Sequence, residues 1–293
     1  MIVHQTGHQA RHQAEGLASQ GRIRGRSPRA RAGVVAILSG KGGVGKSALA
    51  VNLATAAAQA GVRTLLIDGD PGLANADLLM GLVPRHDLGD CVESGIALGD
   101  ALCSGPAGLE LLVVGARRAA ITCLARSLEA DSDEALARLR AERPFTVLDL
   151  GAGIGANVIE LARHADPVWL VATPEPTSLA DAYTTVKQLW ERAPTLRVEL
   201  VVNRAGDRAV GERTHHALER LVRRFLGRSL PLRAVLPEDP AMIHAVARQC
   251  PVVLEYPDAS VSRRIRMLAE SLVDELGSRG RLDGNASLAR GMD

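Results

Sequence analysis

The stretch Val34-Val35-Ala36-Ile37-Leu38-Ser39-Gly40-Lys41-Gly42-Gly43-Val44-Gly45-Lys46-Ser47-Ala48 decides how this chain is read. Its apolar run predicts a strand, its glycines a loop, and the alanine-rich continuation from Lys46 to Gln59 a helix. Gly40 to Ser47 fits G-x-x-x-x-G-K-[ST], in the strand, loop and helix context that gives this motif its meaning. The glycines let successive backbone N–H groups turn toward one phosphate, and the helix that follows aims its positive dipole end at the same anion. Lys46 is placed to neutralise β- and γ-phosphate charge, and Ser47 to ligate Mg²⁺. Gly40, Lys41, Gly42, Gly43, Val44, Gly45, Lys46, Ser47 and Ala48 therefore form the predicted binding loop for ATP with Mg²⁺.

Lysine occurs in this arginine-rich chain only at Lys41, Lys46 and Lys187. Two of these stand in the loop, where a compact, flexible point charge serves better than a planar guanidinium. Lys41 is not required by the general motif and marks a subclass of it.

Acids complete the site. The second predicted strand, Thr64 to Ile67, ends in Asp68-Gly69-Asp70, at the carboxyl edge of the sheet where ligands of open α/β folds bind. Asp70 is assigned to orient or deprotonate the attacking water, with Lys41 and Lys46 as its catalytic companions, and Asp68 to lie near the metal. Phe145-Thr146-Val147-Leu148-Asp149 is an apolar strand ending in a third acid, the arrangement that holds Mg²⁺ directly or through water. Ser47, Asp68 and Asp149 are thus the metal candidates. The glycine-rich Leu150-Gly151-Ala152-Gly153-Ile154-Gly155 lies where a γ-phosphate sensor has to move.

Further along, short continuous apolar runs at Glu110 to Val114, Val168 to Ala172, Val198 to Val202 and Leu232 to Leu236 alternate with amphipathic stretches. Helices are predicted at Asp133 to Glu142, Ala156 to Arg163, Ser178 to Glu191, Gly211 to Phe225 and Ser260 to Leu276. Continuous runs fit strands covered on both faces, so the expected fold is α/β: a three-layer P-loop NTPase with a mostly parallel twisted sheet flanked by helices. Residues 33–277 are read as one ATPase domain. Residues 1–32, rich in Gln, His, Arg, Gly and Ser, are read as a flexible leader, and 278–293 as a polar, disordered tail.

Composition bounds the rest. At 293 residues and 46% hydrophobic the chain can bury a large core, and a formal charge of +2 gives no global field toward nucleic acid or an anionic membrane. Cys91, Cys103, Cys123 and Cys250 stand far apart without a C-x-x-C pair, which favours a reducing, cytoplasmic setting over a zinc knuckle. No stretch approaches the about 18 apolar residues that span a bilayer.

The pairing of Lys41 with Lys46 resembles the deviant Walker A motif of the MinD and ParA ATPases. Asp68 to Gly81 is similar to the D-x-D-x-G-L-A-N-x-D-x-L-x-G block of MinD and of the flagellar regulators FlhG (FleN, YlxH), and Asp149-Leu150-Gly151-Ala152-Gly153-Ile154 looks more like FlhG than MinD. Thr173 to Tyr183 matches both. The resemblance covers roughly residues 33 to 277. It implies a MinD-like fold of the SIMIBI class and an ATPase that acts as a homodimer when ATP-bound, with Lys41 reaching the partner's nucleotide. It also implies adenine recognition by Asn203 and Arg204 and by the Pro237-Glu238-Asp239 loop, and control of flagellar number and placement. Partners implied are the flagellar GTPase FlhF, switch-complex proteins or a flagellar transcriptional activator, with no direct nucleic acid. His12-Gln13-Ala14-Glu15-Gly16-Leu17 resembles the D-Q-A-x-x-L element with which FlhG stimulates FlhF, with His12 replacing the acid. After Leu276 only Leu282, Leu288 and Met292 are bulky and apolar, so membrane contact is expected to be weak or indirect, and localisation cytoplasmic or peripheral at the inner membrane face. A MinD-type division-site protein, a ParA-type partitioning protein, an iron–sulfur carrier and a binding module without hydrolysis are the alternatives.

Overall fold

The computed structural model describes residues 33–71, 74–129 and 134–289, with side chains up to residue 276. The leader motif at His12 to Leu17 therefore lies outside the described residues, as do Gly72 and Leu73 of the acidic block.

One eight-stranded sheet organises the chain. In sequence it comprises β1 (Gly33–Ser39), β2 (Thr64–Gly69), β3 (Leu102–Ser104), β4 (Glu110–Val113), β5 (Phe145–Ala152), β6 (Val168–Ala172), β7 (Val198–Ala205) and β8 (Leu232–Pro237). Their spatial order is β3-β4-β2-β5-β1-β6-β7-β8. Every pairing is parallel except β3 with β4. β1 lies between β5 and β6, so the loop after it opens at the carboxyl edge with acid-bearing strands to one side.

The continuous apolar strands divide their side chains between two cores. Val34, Ala36 and Leu38 of β1 join one cluster, and Val35 and Ile37 the other. The first is closed by α3 (Leu88–Ser94), α4 (Arg118–Leu128), α5 (Ala135–Ala141), α6 (Ala156–Ala162), α7 (Pro176–Arg192) and α8 (Arg208–Leu226). The second is closed by α1 (Lys46–Gln59), α2 (Ala76–Leu79), α9 (Pro240–Ala247), α10 (Val252–Glu255) and α11 (Ser260–Ala289). Alanines along α1 let it sit close to the sheet, with Leu49 and Leu53 fully inside.

The last helix is longer than the Ser260 to Leu276 stretch that its apolar stripe predicts. Ile265, Leu268, Ala269 and Leu272 of α11 are buried as the periodic stripe predicts, each large one stabilising by about 1.5–3 kcal/mol. The helix then runs on to Ala289, where glycines at 277, 280 and 284 predict an end and a disordered tail. Interior glycine costs only about 1 kcal/mol, and extending a formed helix avoids the nucleation penalty, so the glycines slow the helix without ending it. α11 is also anchored where the core stops. Glu275 accepts from Arg233 at 3.1 Å and pairs with Arg197 at 2.7 Å, and Leu276 fills the space that a side chain on Gly33 would need.

Candidate nucleotide site

The loop between β1 and α1 has the shape its glycines demand. Gly43 and Gly45 sit at φ of 78° and 88°, where other residues are strained. A side chain at Gly45 would meet Asn203 Nδ2 at 2.4 Å, and one at Gly40 would meet the backbone of Asp181 at 2.5 Å. Asn203 reaches this loop from the end of β7 and donates from Nδ2 to the Val44 carbonyl at 2.8 Å. Its amide thus braces the loop as well as bordering the cavity beside it.

The Lys46 ammonium is almost fully buried. It donates to Asp149 Oδ1 at 2.8 Å and to Ser47 Oγ at 3.2 Å, and lies 3.8 Å from Asp70 Oδ2. Three other predicted site residues, Ser47 of α1, Asp149 of β5 and Asp70 just after β2, therefore meet around the Lys46 cation. Burial pushes the Asp149 carboxyl up and Asp70 adds to that push, against the pull of Lys46 and Ser47. Asp149 Oδ2 is buried with no hydrogen-bond partner among the described residues. A buried, unpaired oxygen beside a serine hydroxyl on a phosphate loop fits a hard cation. Asp70 packs against Gly151, where a Cβ would stand 3.3 Å from its Oδ1, so the glycine after β5 makes room for this acid.

Asp68, expected near the metal, is the register partner of Asp149 across β2 and β5. Its carboxylate, wholly inside the protein, is turned to the backbone. Oδ1 accepts from the Asp70 N–H at 3.1 Å, and Oδ2 from the N–H groups of Asn75 and Ala76, both at 3.0 Å. Burial and then neighbouring Asp149 push its pKa to about 6, with the three backbone donors pulling down.

Lys41 is half-exposed and donates to Glu175 Oε2 at 2.7 Å and to Thr177 Oγ1 at 3.2 Å. Those partners lie where α7 begins, within the Thr173 to Tyr183 block. No spacing rule points from Lys41 to them.

Beside the loop lies an apolar cavity of about 280 Å³. Gly45, Ala48, Asn203, Arg204, Pro237 and Glu238, all expected at a nucleotide, border it. Arg204, at φ 55°, and Glu238 form a 3.9 Å ion pair at the rim. The remaining wall was not read from sequence: Met242, Ile243 and Val246 come from α9, and Val261 and Ile265 from α11. Ile243 is 66% exposed, an unusual position for an isoleucine unless something covers it. Asp239 ties this wall together by capping α9 at the Ala241 N–H and accepting from Ser260 Oγ and the Val261 N–H at the start of α11.

The model of the CobQ/CobB/MinD/ParA nucleotide-binding domain matches residues 35–252. The chain belongs to this family. As a MinD/ParA-type protein it is a P-loop ATPase. The antiactivator FleN of Pseudomonas aeruginosa is 34% identical over 239 residues, covering 82% of this chain and 85% of its own. The flagellum site-determining protein YlxH of Helicobacter pylori is 32% identical over 155 residues, covering 52% of each. Among solved structures, the Pyrococcus furiosus cell division ATPase MinD superposes with a TM-score of 0.66 at 25% identity, covering 84% of this chain and all of that one. A chain of the MinC:MinD cell division complex of Aquifex aeolicus gives 0.66 at 29% identity, covering 83% and 96%. No helix among the described residues is long and apolar enough to cross a membrane.

Proposed function

We propose that this MinD/ParA-type ATPase is a molecular switch of flagellar regulation, binding Mg-ATP between Gly40 and Ala48 and hydrolysing it as a homodimer. The observation that supports this most is the convergence of Lys46, Ser47, Asp149 and Asp70 on one point at the end of β1. That cluster offers one cation for phosphate oxygens, one hydroxyl and one buried carboxylate for a metal, and one partly exposed carboxylate for water.

In this reading the backbone N–H groups of the loop and the dipole end of α1 hold the phosphates, and the Lys46 ammonium turns from Asp149 toward them. Ser47 and Asp149 would hold the Mg²⁺, which would supply neutralisation of phosphate charge. Asp70 takes a proton from water or aligns it, at a position kept by its contact with Gly151. The apolar cavity receives the adenine, with Asn203, Arg204, Pro237 and Glu238 at its border. Lys41 leaves Glu175 to reach the nucleotide of a second copy.

The flagellar assignment is supported by FleN and YlxH, both similar to this chain. The flagellar GTPase, a switch-complex protein or a flagellar transcriptional activator is the partner class it implies, with any membrane contact indirect. A MinD-type or ParA-type role is the second reading, since MinD relatives also match. Asp70→Ala tests the switch: the variant should bind ATP, stay dimeric in light scattering and lose turnover by about 100-fold or more. Normal hydrolysis by Asp70→Ala would remove the catalytic assignment. Deleting the gene in its flagellated host should change flagella per cell, whereas minicells or chromosome loss would favour the second reading.

A further inference from the structure

We infer that Asp68 is a positioning residue, one that fixes the loop carrying Asp70 and the start of α2 through backbone hydrogen bonds and does not ligate the metal. The inference deepens the ATPase reading above and rests on it for its kinetic half only.

Asp68 and Asp149 are register partners on β2 and β5, two buried carboxylates side by side at the same sheet edge. They are compensated in different ways. Asp149 has the Lys46 ammonium at 2.8 Å and one oxygen to spare. Asp68 has the N–H groups of Asp70, Asn75 and Ala76. Both in-plane lone pairs of Oδ2 are taken by Asn75 and Ala76, so a cation on that oxygen would have to displace a backbone donor. A carboxylate that accepts backbone N–H groups is a strong, charge-assisted anchor, and here the anchored groups stand two, seven and eight residues on.

The span so closed runs from the proposed hydrolytic acid to α2. Asn75, the residue before α2, makes no side-chain cap of its own; its own N–H and the first N–H of the helix, that of Ala76, go to Asp68 instead. α2 then presents Leu78, 54% exposed, to solvent. A single buried carboxylate thus links the placement of Asp70 to the placement of an exposed apolar residue. Its removal should loosen both together, because the Asp70, Asn75 and Ala76 N–H groups share this one acceptor.

Hydrogen exchange and kinetics on the full chain test this, using Asp68→Ala, which removes all three bonds, and Asp68→Asn, which keeps the volume and one acceptor oxygen. Without nucleotide, the amides of Asp70 and of residues 75–78 should exchange about ten-fold faster in Asp68→Ala, and less so in Asp68→Asn, while amides of β1 and β5 keep their protection. With Mg-ATP, kcat should fall about 10- to 100-fold with KM and the Mg²⁺ midpoint for nucleotide binding unchanged. If the Ala variant fails to fold, the Asn variant carries the same comparison. A Mg²⁺ midpoint raised about 10-fold or more with exchange unaltered would make Asp68 a metal ligand and overturn the inference. Unaltered exchange and unaltered kcat would overturn it equally. If wild-type protein binds no Mg-ATP, the ATPase reading fails, and the exchange comparison still decides whether Asp68 holds the loop.

Discussion

Replacing Lys46 by alanine should damage the fold as well as the site, and the two losses can be separated. Lys46 donates at 2.8 Å to Asp149, whose side chain is wholly buried. Removing one member of such a pair leaves an uncompensated charge and costs about 3–5 kcal/mol. Total stability of a domain is about 5–15 kcal/mol, so this is a large fraction of it. At about 2–4 °C per kcal/mol for a large domain, Lys46→Ala should melt about 6–20 °C below wild type. Asp149 can escape part of the cost by taking up a proton, which burial already favours. Its pKa rises further on loss of Lys46, so the deficit should shrink as pH falls and widen as pH rises. Adding Asp149→Asn removes the stranded charge and should recover most of the melting temperature without recovering ATP binding. The assay is differential scanning fluorimetry at three pH values, alongside nucleotide binding. A single mutant as stable as wild type at pH 8, or a double mutant no better than the single, would show that Asp149 does not depend on Lys46 for its charge.

Two further outcomes are expected. Gly45→Ala must place a Cβ 2.4 Å from Asn203 Nδ2 at φ 88°, so backbone strain of about 1–2 kcal/mol and loss of the Asn203 bond should lower the melting temperature and abolish nucleotide affinity; ATP binding retained by this variant would mean the loop tolerates a different path. Asp68, raised from 3.8 to about 6, binds its proton more tightly when folded, so its contribution is full below 3.8 and lost as pH rises through 6. Between pH 5 and 7.5 the urea-measured stability of wild type relative to Asp68→Asn should therefore fall by about 1.4 kcal/mol, and a flat difference would refute the shift.

What could be read from sequence was what is local. The phosphate loop declares itself because glycine, lysine and serine at fixed spacing serve one anion, and α1 begins at Lys46 and ends at Gln59 as predicted. β6 likewise keeps its predicted bounds, Val168–Ala172, because both its faces are buried. Among the helices that the sequence reading missed, α4 does carry an apolar period, with Ala120, Ile121, Leu124, Ala125 and Leu128 buried, while two others had signals of another kind. α3 carries a capping box between Asp87 and Asp90, and α9 has an Asp239 cap followed by Pro240, short polar cues that an apolar period does not register. β3, of three residues, is too short to show alternation.

The site shows the same division. Asp149 was legible as an acid ending an apolar strand, and the structure brings it to Lys46. The far wall of the cavity was not, because Ile265 belongs to a helical stripe that reads as core whether its outer edge faces protein or ligand. Lys41 meeting Glu175, and Asp68 meeting Asn75 and Ala76, depend on where loops return to the sheet edge, which no residue pattern specifies.

Calorimetry of the full chain against Mg-ATP tests the account most directly. It predicts saturable binding of one nucleotide per chain in the wild type and in Asp70→Ala, and none in Gly45→Ala. Well-folded wild-type protein that releases no heat with Mg-ATP would contradict it.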